Sequence, residues 1–548
     1  MNRLYYGDCL QVLDSMKLSG VDLIYLDPPF NSNRQYNAIY KDETGRPLPS
    51  QIEAFCDTWT LDAEQERAIR TIPVLMRENG IDDGTAEFWR LWMNAMRHTQ
   101  PGLLAYLAYM VPRLLAMKSV LKATGSIYLH CDPTAAHYIK VMMDSIFGHQ
   151  NFRSEIIWKR SHSHNSAKRY GPIHDTILFY SKGDKYKWAN VRQPYDIEYQ
   201  KRYFKYDDGD GRGAYWTGDI TGSGTRNGET GKEWRGFNPT DKNRHWMVPP
   251  IELDHLDADN RVYWPKKPGA WPKIKRYLAE AKGIPLQDII TDIYGLSTMG
   301  APKGERLGYP TQKPVALLER LISASTEPGD VVLDPFCGCA TTLEAAHNLD
   351  REWIGIDIAI HAIKRVAKTR LEDRLGLTEG EHFSINGVPN SIESAQDLWE
   401  RDKYHFQKWA VEEVDGFVTT QRSADGGIDG RIYYAAHDGA KDLDSMALEV
   451  KGGQNVGINV VRELRGVLER EEAQMVGLII LQTLGDRQAR NFRSEMAQAG
   501  DIDISGTHYP RMQMLTITDI LDGHRFETPG AAARGLAQAV LPGTVPKR

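Results

Sequence analysis

The chain has 548 residues, with 67 Lys plus Arg against 73 Asp plus Glu and a formal net charge of −6. At roughly 150 residues per domain this length implies three to four units, and five cysteines (Cys9, Cys56, Cys131, Cys337, Cys339) with no C-x-x-C pair exclude a secreted disulfide framework and fit a reduced cytoplasm. No signal-peptide pattern and no membrane-spanning run of about 20 apolar residues is expected, and a pI near 6.3 excludes a uniformly basic nucleic-acid binder.

The first element with chemical content covers residues 21–30. Val21 to Leu26 is a short apolar run with β-prone residues, which predicts a strand buried on both faces of a parallel sheet. Pro28 and Pro29 end it, since neither has an N–H to donate and each fixes φ. A carboxylate (Asp27), a carbonyl (Pro28) and a ring (Phe30) are thus held in a rigid turn at the carboxyl end of a strand, where open α/β sheets bind ligands. Two acceptors and a stacking ring suit a planar base gripped by its exocyclic amine. On the tetrapeptide alone, an ordinary Asp-Pro turn competes with that reading.

Between Arg153 and Arg244 there are 18 Lys plus Arg against 12 Asp plus Glu, a local excess of base in an acidic chain. Aromatic residues are interleaved there: Trp158, Tyr170, Tyr195, Tyr199, Tyr203, Tyr206, Tyr215, Trp216, Trp234 and Trp246. Basic side chains contact phosphates and rings stack on bases, so the composition suits contact with nucleic acid. A tyrosine-rich solvated subdomain is the structural alternative. Residues 218–236 are glycine-rich and read as a mobile loop.

Residues 327–342 read as a turn, a buried strand and a small-residue loop opening a helix over 341–348, so a ligand can approach backbone N–H groups at a helix start. Asp357 ends a further strand over 353–357. It follows Asp334 at close to the roughly 20-residue offset at which a strand-end acid meets ribose hydroxyls. The loop lacks the G-x-G-x-x-G glycines, which argues for an adenosyl cofactor without a pyrophosphate. Cys337 and Cys339 flank Gly338 without partner His or Cys residues, so no metal is expected there.

With these residues the chain resembles the β-type amino DNA methyltransferases, which transfer methyl groups from S-adenosylmethionine to adenine N6 or cytosine N4. Asp27-Pro28-Pro29-Phe30 matches the catalytic motif, and Asp334, Pro335, Phe336, Gly338, Thr341 and Thr342 match the cofactor motif, in the permuted order with catalysis first. The resemblance covers roughly residues 1–375 and implies a Rossmann-like α/β sheet with an inserted target-recognition region. It further implies that Asp8 approaches the cofactor adenine, that residues 125–132 form a sheet strand, and that residues 152–182 form a hairpin closing the base pocket. Thr311 and Lys313, ahead of a helix over 315–324, match the segment over the methionine end of the cofactor, and Asp357 the ribose contact. Ala340 departs from the pattern, since many relatives carry glycine there. The implied chemistry is direct: Asp27 and the Pro28 carbonyl hold the amine, Phe30 stacks on a base flipped from the duplex, and no covalent intermediate forms. Asp at the first motif position favours adenine N6, with cytosine N4 the alternative.

The last third has its own logic. A helical pattern over 404–413 leads to a turn that delivers Asp429 onto a strand, and a second strand over 446–451 carries Glu449 and Lys451 on one face. Two carboxylates suit Mg²⁺, and the lysine can orient water for phosphodiester hydrolysis. With a helix over 460–471 and a strand over 475–481, this resembles the Mrr-like branch of restriction-endonuclease folds. Three readings follow: an active nuclease that makes the chain a combined restriction-modification enzyme, a solitary methyltransferase with a DNA-binding tail, and a DNA-binding regulator that has lost methylation.

The expected boundaries are 1–150 for the catalytic half, 151–305 for the hairpin and recognition region, 306–385 for the cofactor half, 400–525 for the nuclease-like domain and 526–548 for a loose tail. Double-stranded DNA is the expected partner, with no membrane. A homodimer and further restriction-modification subunits are compatible, and the expected location is cytoplasmic.

Overall fold

The structure is a computed structural model describing residues 2–529, apart from 17–19, 29–34, 38–52, 57–58, 60, 62, 163–167, 169, 297–303, 306, 308–311, 420–427, 435–443, 454–455, 471–472 and 482–483. The chain divides into two compact units. Unit 1 joins Met1–Ala189 to Asp288–Arg548, and unit 2 is Asn190–Gln287.

Unit 1 is built on a nine-stranded sheet. Its strands are β1 (Asn2–Tyr6), β2 (Val21–Leu26), β3 (Leu121–Cys131), β4 (Phe152–Lys159), β5 (His174–Ser181), β6 (Ile289–Ile290), β7 (Val331–Asp334), β8 (Glu352–Asp357) and β9 (Phe383–Asn386). They are ordered β6-β4-β5-β3-β2-β7-β8-β1-β9. Pairing is parallel except that β5 runs antiparallel to both neighbours, which places the hairpin of residues 152–181 in the main sheet. All six residues of β2 are buried, as the unbroken apolar run predicted. The two halves meet where β2 pairs with β7 (Leu23 with Val332, Ile24 with Leu333).

Helix α1 (Pro101–Val120) begins with Pro at its first position and lies buried over most of its surface. By length and composition it could cross a membrane, against the sequence expectation that no such run exists, but 72% of its most apolar stretch is buried within the protein. A helix that is apolar all round is what the centre of a large core requires.

The C-terminal part of unit 1 carries a five-stranded sheet in sequential order: β10 (Phe417–Val418), β11 (Gly430–Tyr434), β12 (Asp444–Lys451), β13 (Met475–Ile480) and β14 (Met512–Thr516). The first two pairings are antiparallel and the last two parallel. Two helices precede it, α2 (Ile392–Arg401) and α3 (Lys403–Glu413). Ser391 caps α2, and the Asp402 carboxylate accepts the His405 N–H to cap α3. One apolar core runs continuously from Leu4, Tyr6 and Trp353 of the large sheet through Phe406 and Trp409 to Leu448 and Met475 of the small one.

Unit 2 holds a three-stranded antiparallel sheet (Tyr215–Asp219, Lys273–Tyr277, Val262–Tyr263) and a core of Ile220, Trp234, Trp246, Leu253 and Val262. The glycine-rich stretch expected to be mobile is built into it. Gly218 lies in a paired strand where a Cβ would come 2.8 Å from Arg276 Nε, and a Cβ at Gly231 would come 1.8 Å from the Arg226 carbonyl. These glycines admit close approach of neighbouring chain.

His405 sits at the junction of the two sheets of unit 1, 2% exposed, with its ring 4.6 Å from that of Tyr6. Neither ring nitrogen meets a hydrogen-bond partner among the described residues, and burial, aided by Lys408, pushes its pKa down to about 4. The unfolded chain therefore takes up a proton below about 6.5 that the folded chain refuses, so stability present at neutral pH is lost as pH falls. Between pH 7.5 and 5 this residue should cost about 2 kcal/mol. Urea midpoints at the two pH values should converge for His405→Phe relative to wild type, and an equal acid loss in both proteins would refute the assignment.

Candidate active site

The carboxyl ends of β1, β2, β7 and β8 open on one pocket. It is lined by Asp8, Asp27, Pro28, Lys313, Asp334, Pro335, Phe336, Gly338, Thr341, Thr342 and Asp357, so every described residue expected at the catalytic and cofactor positions lies in it. Pro29, Phe30 and Thr311 fall outside the described residues. Cys9, Tyr25, Tyr109, Gln312, Cys337, Cys339, Ile358 and Lys408 also contribute.

Asp27 follows the last residue of β2. Its Oδ2 is ion-paired with Lys313 Nζ, while its Oδ1 is buried with no hydrogen-bond partner among the described residues. A buried acceptor without a donor calls for an explanation, and in a pocket wall a donor brought by a ligand supplies one. Behind it, the Tyr25 hydroxyl lies 2.9 Å from His130 Nδ1, His130 Nε2 3.2 Å from Asp175, and Arg160 2.8 Å from the same carboxylate. This buried chain fixes the floor on which Asp27 stands.

Asp334 ends β7. It accepts the Thr342 hydroxyl at 2.5 Å and the Phe336 N–H at 3.0 Å. Burial raises its pKa to about 7, and the Asp27 and Asp357 charges add to the rise. Asp357 accepts N–H groups from Gly338 and Ala359, both at 2.8 Å, which only partly offset the upward pull of its burial. Asp8 accepts the Leu10 N–H at 2.8 Å and is ion-paired with Arg113 of α1, whose guanidinium lies 3.4 Å above the Tyr109 ring. Ala340 has φ 60°. That left-handed conformation costs an L-residue roughly 1–2 kcal/mol, which explains why glycine suits the position.

Four carboxylates, three of them at strand ends, favour a ligand with cationic and hydroxyl groups over a phosphate. The sequence did not reveal Lys313 as the partner of Asp27, Arg113 as the partner of Asp8, or Lys408 as a wall residue. Lys313 and Arg113 meet their partners, and Lys408 the pocket, across long spans of chain, and no local spacing encodes that.

A second cluster lies in the small sheet. Asp429 Oδ2 accepts the Val450 N–H at 2.7 Å, Glu449 is 4% exposed, and Lys451 Nζ lies 2.5 Å from Glu449 Oε1. Burial raises both carboxyl pKa values, with Lys451 opposing the rise and Asp429 adding to that of Glu449. Among the described residues no group of three His, Cys, Asp or Glu side chains could hold a metal alone. Two acids with water completing the shell still suit Mg²⁺, which usually takes only one or two carboxylates.

Unit 2 divides the aromatic set. Tyr215, Trp234 and Trp246 are core residues, as Trp158 is in the large sheet, and cannot stack on a base. Tyr199, Tyr203, Tyr206 and Trp216 are exposed. Several cations there are already paired internally, Arg212 with Asp259, Arg261 with Glu280 and Lys275 with Asp208. Lys201 and Arg202 stand instead on an exposed helix (Ile197–Tyr203) beside Tyr199 and Tyr203.

A family model described as DNA methylase matches residues 21–368, and one described as restriction endonuclease matches residues 395–503. The chain is 35% identical over 286 residues to a Type II methyltransferase, M.EcaI, of Enterobacter cloacae, covering 52% of this chain and 61% of that protein. It is 28% identical to the Mod subunit of a Type III restriction-modification enzyme, StyLTI, of Salmonella typhimurium, over 64% of this chain and 50% of the relative. A DNA adenine methyltransferase of Escherichia coli, YhdJ, is 24% identical over 66% and 80%. The alignments thus span between half and two thirds of the first two relatives.

Ionising Asp334 opposes folding. Its folded pKa lies above the unfolded value near 3.9, so stability present below that value is lost as pH rises towards about 7. Asp334→Asn should therefore gain on wild type across pH 4 to 7, by roughly 2–4 kcal/mol at the upper end. A urea midpoint difference that does not change with pH would contradict this.

Proposed function

The chain belongs to the N6/N4 DNA methylase family, and on that premise we propose that it transfers the methyl group of S-adenosylmethionine to an exocyclic amine of a base flipped out of duplex DNA. The observation that carries this reading is the buried Oδ1 of Asp27, without a donor among the described residues, beside Pro28 past the end of β2. The amine of adenine or cytosine is a poor nucleophile because its lone pair is delocalised into the ring. Asp27 Oδ1 and the Pro28 carbonyl accept its two hydrogens and turn that lone pair out of the ring plane. Lys313, held on Oδ2, fixes the carboxylate so that only Oδ1 is offered. Phe30 replaces the stacking that the flipped base loses.

S-adenosylmethionine, when bound, supplies an electrophilic methyl group on a sulfonium. The acid-rich pocket fits this cationic ligand: Asp334 and Lys313 hold its amino-acid end, Asp357 its ribose and Asp8 its adenine side. Pro335, Phe336, Gly338, Thr341 and Thr342 form the loop around it. Adenine N6 is the proposed target, supported by Asp at the first motif position and by the adenine methyltransferase among the relatives. Cytosine N4 is the nearer alternative. Unit 2 would read the sequence through Lys201, Arg202, Tyr199 and Tyr203.

We propose further that the restriction-endonuclease domain cleaves DNA with Mg²⁺ on Asp429 and Glu449 and with Lys451 orienting water. The meeting of all three side chains favours this over a DNA-binding tail. Restriction and modification would then share one chain acting in the cytoplasm on duplex DNA. A Mod subunit among the relatives supports further subunits as partners.

Nucleoside analysis of unmethylated DNA incubated with protein and S-adenosylmethionine should show N6-methyladenine. Asp27→Ala should lower that rate by roughly 10²–10³-fold, and undiminished methylation would sink the assignment. With Mg²⁺, wild-type protein should break unmethylated genomic DNA and Lys451→Ala should not. Intact DNA in both lanes, from protein that methylates, would favour the solitary methyltransferase.

A further inference from the structure

The helix that opens the nuclease-like domain faces two ways. Towards the small sheet, α3 sets Val411 against Gly430, the residue after Asp429, so closely that a Cβ on that glycine would come 2.4 Å from Val411 Cγ1. Towards the large sheet it presents His405, Lys408 and Glu412, at helical spacings of three and four residues. His405 rests on Tyr6 at the end of β1, and Glu412 accepts the Ile360 N–H at 2.9 Å, just beyond Asp357. Between them Lys408 enters the wall of the cofactor pocket with Asp8, Asp357, Ile358 and Ala359. Its ammonium acts electrostatically on Asp357, and no hydrogen bond or ion pair to it occurs among the described residues. It is half-buried. A cation in a pocket wall, near a carboxylate and without a partner among the described residues, is placed to donate to a ligand.

We propose that Lys408, a residue of the nuclease-like domain, is a cofactor-binding residue of the methyltransferase site, donating from its ammonium to the oxygen or ring-nitrogen acceptors of the bound adenosyl group. The inference rests on reading the pocket as the S-adenosylmethionine site. Its consequence is linkage: a cofactor that binds partly through α3 favours the docked position of that helix, and docking favours cofactor by the same factor.

The test is calorimetric titration of the full-length protein with S-adenosylhomocysteine, which carries the same adenosyl group. Binding to wild type tests the pocket reading on its own, and no binding there would overturn that reading and the inference with it. With wild type binding, Lys408→Ala should weaken affinity about tenfold, Lys408→Arg should restore most of it, and Lys364→Ala should leave it unchanged. Lys364 pairs with Glu413 at the same junction but does not line the pocket. Hydrogen exchange in α3 should slow when S-adenosylhomocysteine binds wild type and should respond less in Lys408→Ala. A Lys408→Ala protein with wild-type melting temperature, affinity and exchange response would overturn the inference. A loss shared equally by Lys364→Ala would reduce it to general loosening of the junction.

Discussion

The site depends on the pairing of β2 with β7. Two residue pairs bring together strands about 300 positions apart in the chain, so that Asp27 and Asp334 end neighbouring strands of one sheet. The junction is held by more than its ladder. Asp22, 2% exposed inside β2, is ion-paired with Lys122 at 2.6 Å and Lys187 at 3.0 Å and accepts the Val331 N–H at 3.0 Å. Lys187 also pairs with Asp330 at 2.6 Å. Burial alone would raise the Asp22 pKa, but these donors outweigh it and hold the value below the usual range. Removing Lys122 or Lys187 would leave the buried Asp22 charge less compensated. The charge network therefore fixes the register that aligns the two halves of the pocket.

The parts of this arrangement carried by local pattern were legible in the sequence. The apolar run of β2, Pro28 just past its end, the turn before β7 and the small-residue loop after it each have a short-range cause, and each appears where that cause places it. Glu449 and Lys451 share a face because strand side chains alternate, which requires only counting. The partners of these residues were not legible. Arg113 reads as one charge in an apolar helix until the fold sets it on Asp8, and Lys313 reads as part of a family motif until it pairs with Asp27. Composition misled in unit 2, where glycine suggested mobility and tryptophan suggested stacking surfaces. There Gly218, Gly222 and Gly231 are sites of close packing, and Trp234 and Trp246 belong to the core. Glycine and tryptophan each have a buried use and an exposed use, and only tertiary contacts decide between them.

The two sheets of unit 1 are not separated by a linker. An apolar core continuous from Tyr6 to Met475 makes the small sheet an extension of the large one, with α3 as the shared wall. His405 is a weak point in that wall, since two buried ring nitrogens without partners lower the stability of an otherwise apolar contact. An apolar residue there would pack without that cost, and the histidine makes the junction the more acid-sensitive part of the core.

The base of unit 2 has a different consequence. Arg192–Gln193 and Ile284–Pro285 pair as a short antiparallel ribbon, with Gln193 opposite Ile284 and Arg192 opposite Pro285. The chain thus enters and leaves this unit at one narrow neck, and the ends of the segment stay together whatever lies between them. Closing a loop whose ends are already adjacent costs little more as the loop lengthens. The segment can be exchanged as a cassette for one of different length or surface by two joins at a single place. A change in the surface of unit 2 then requires no change in the nine-stranded sheet.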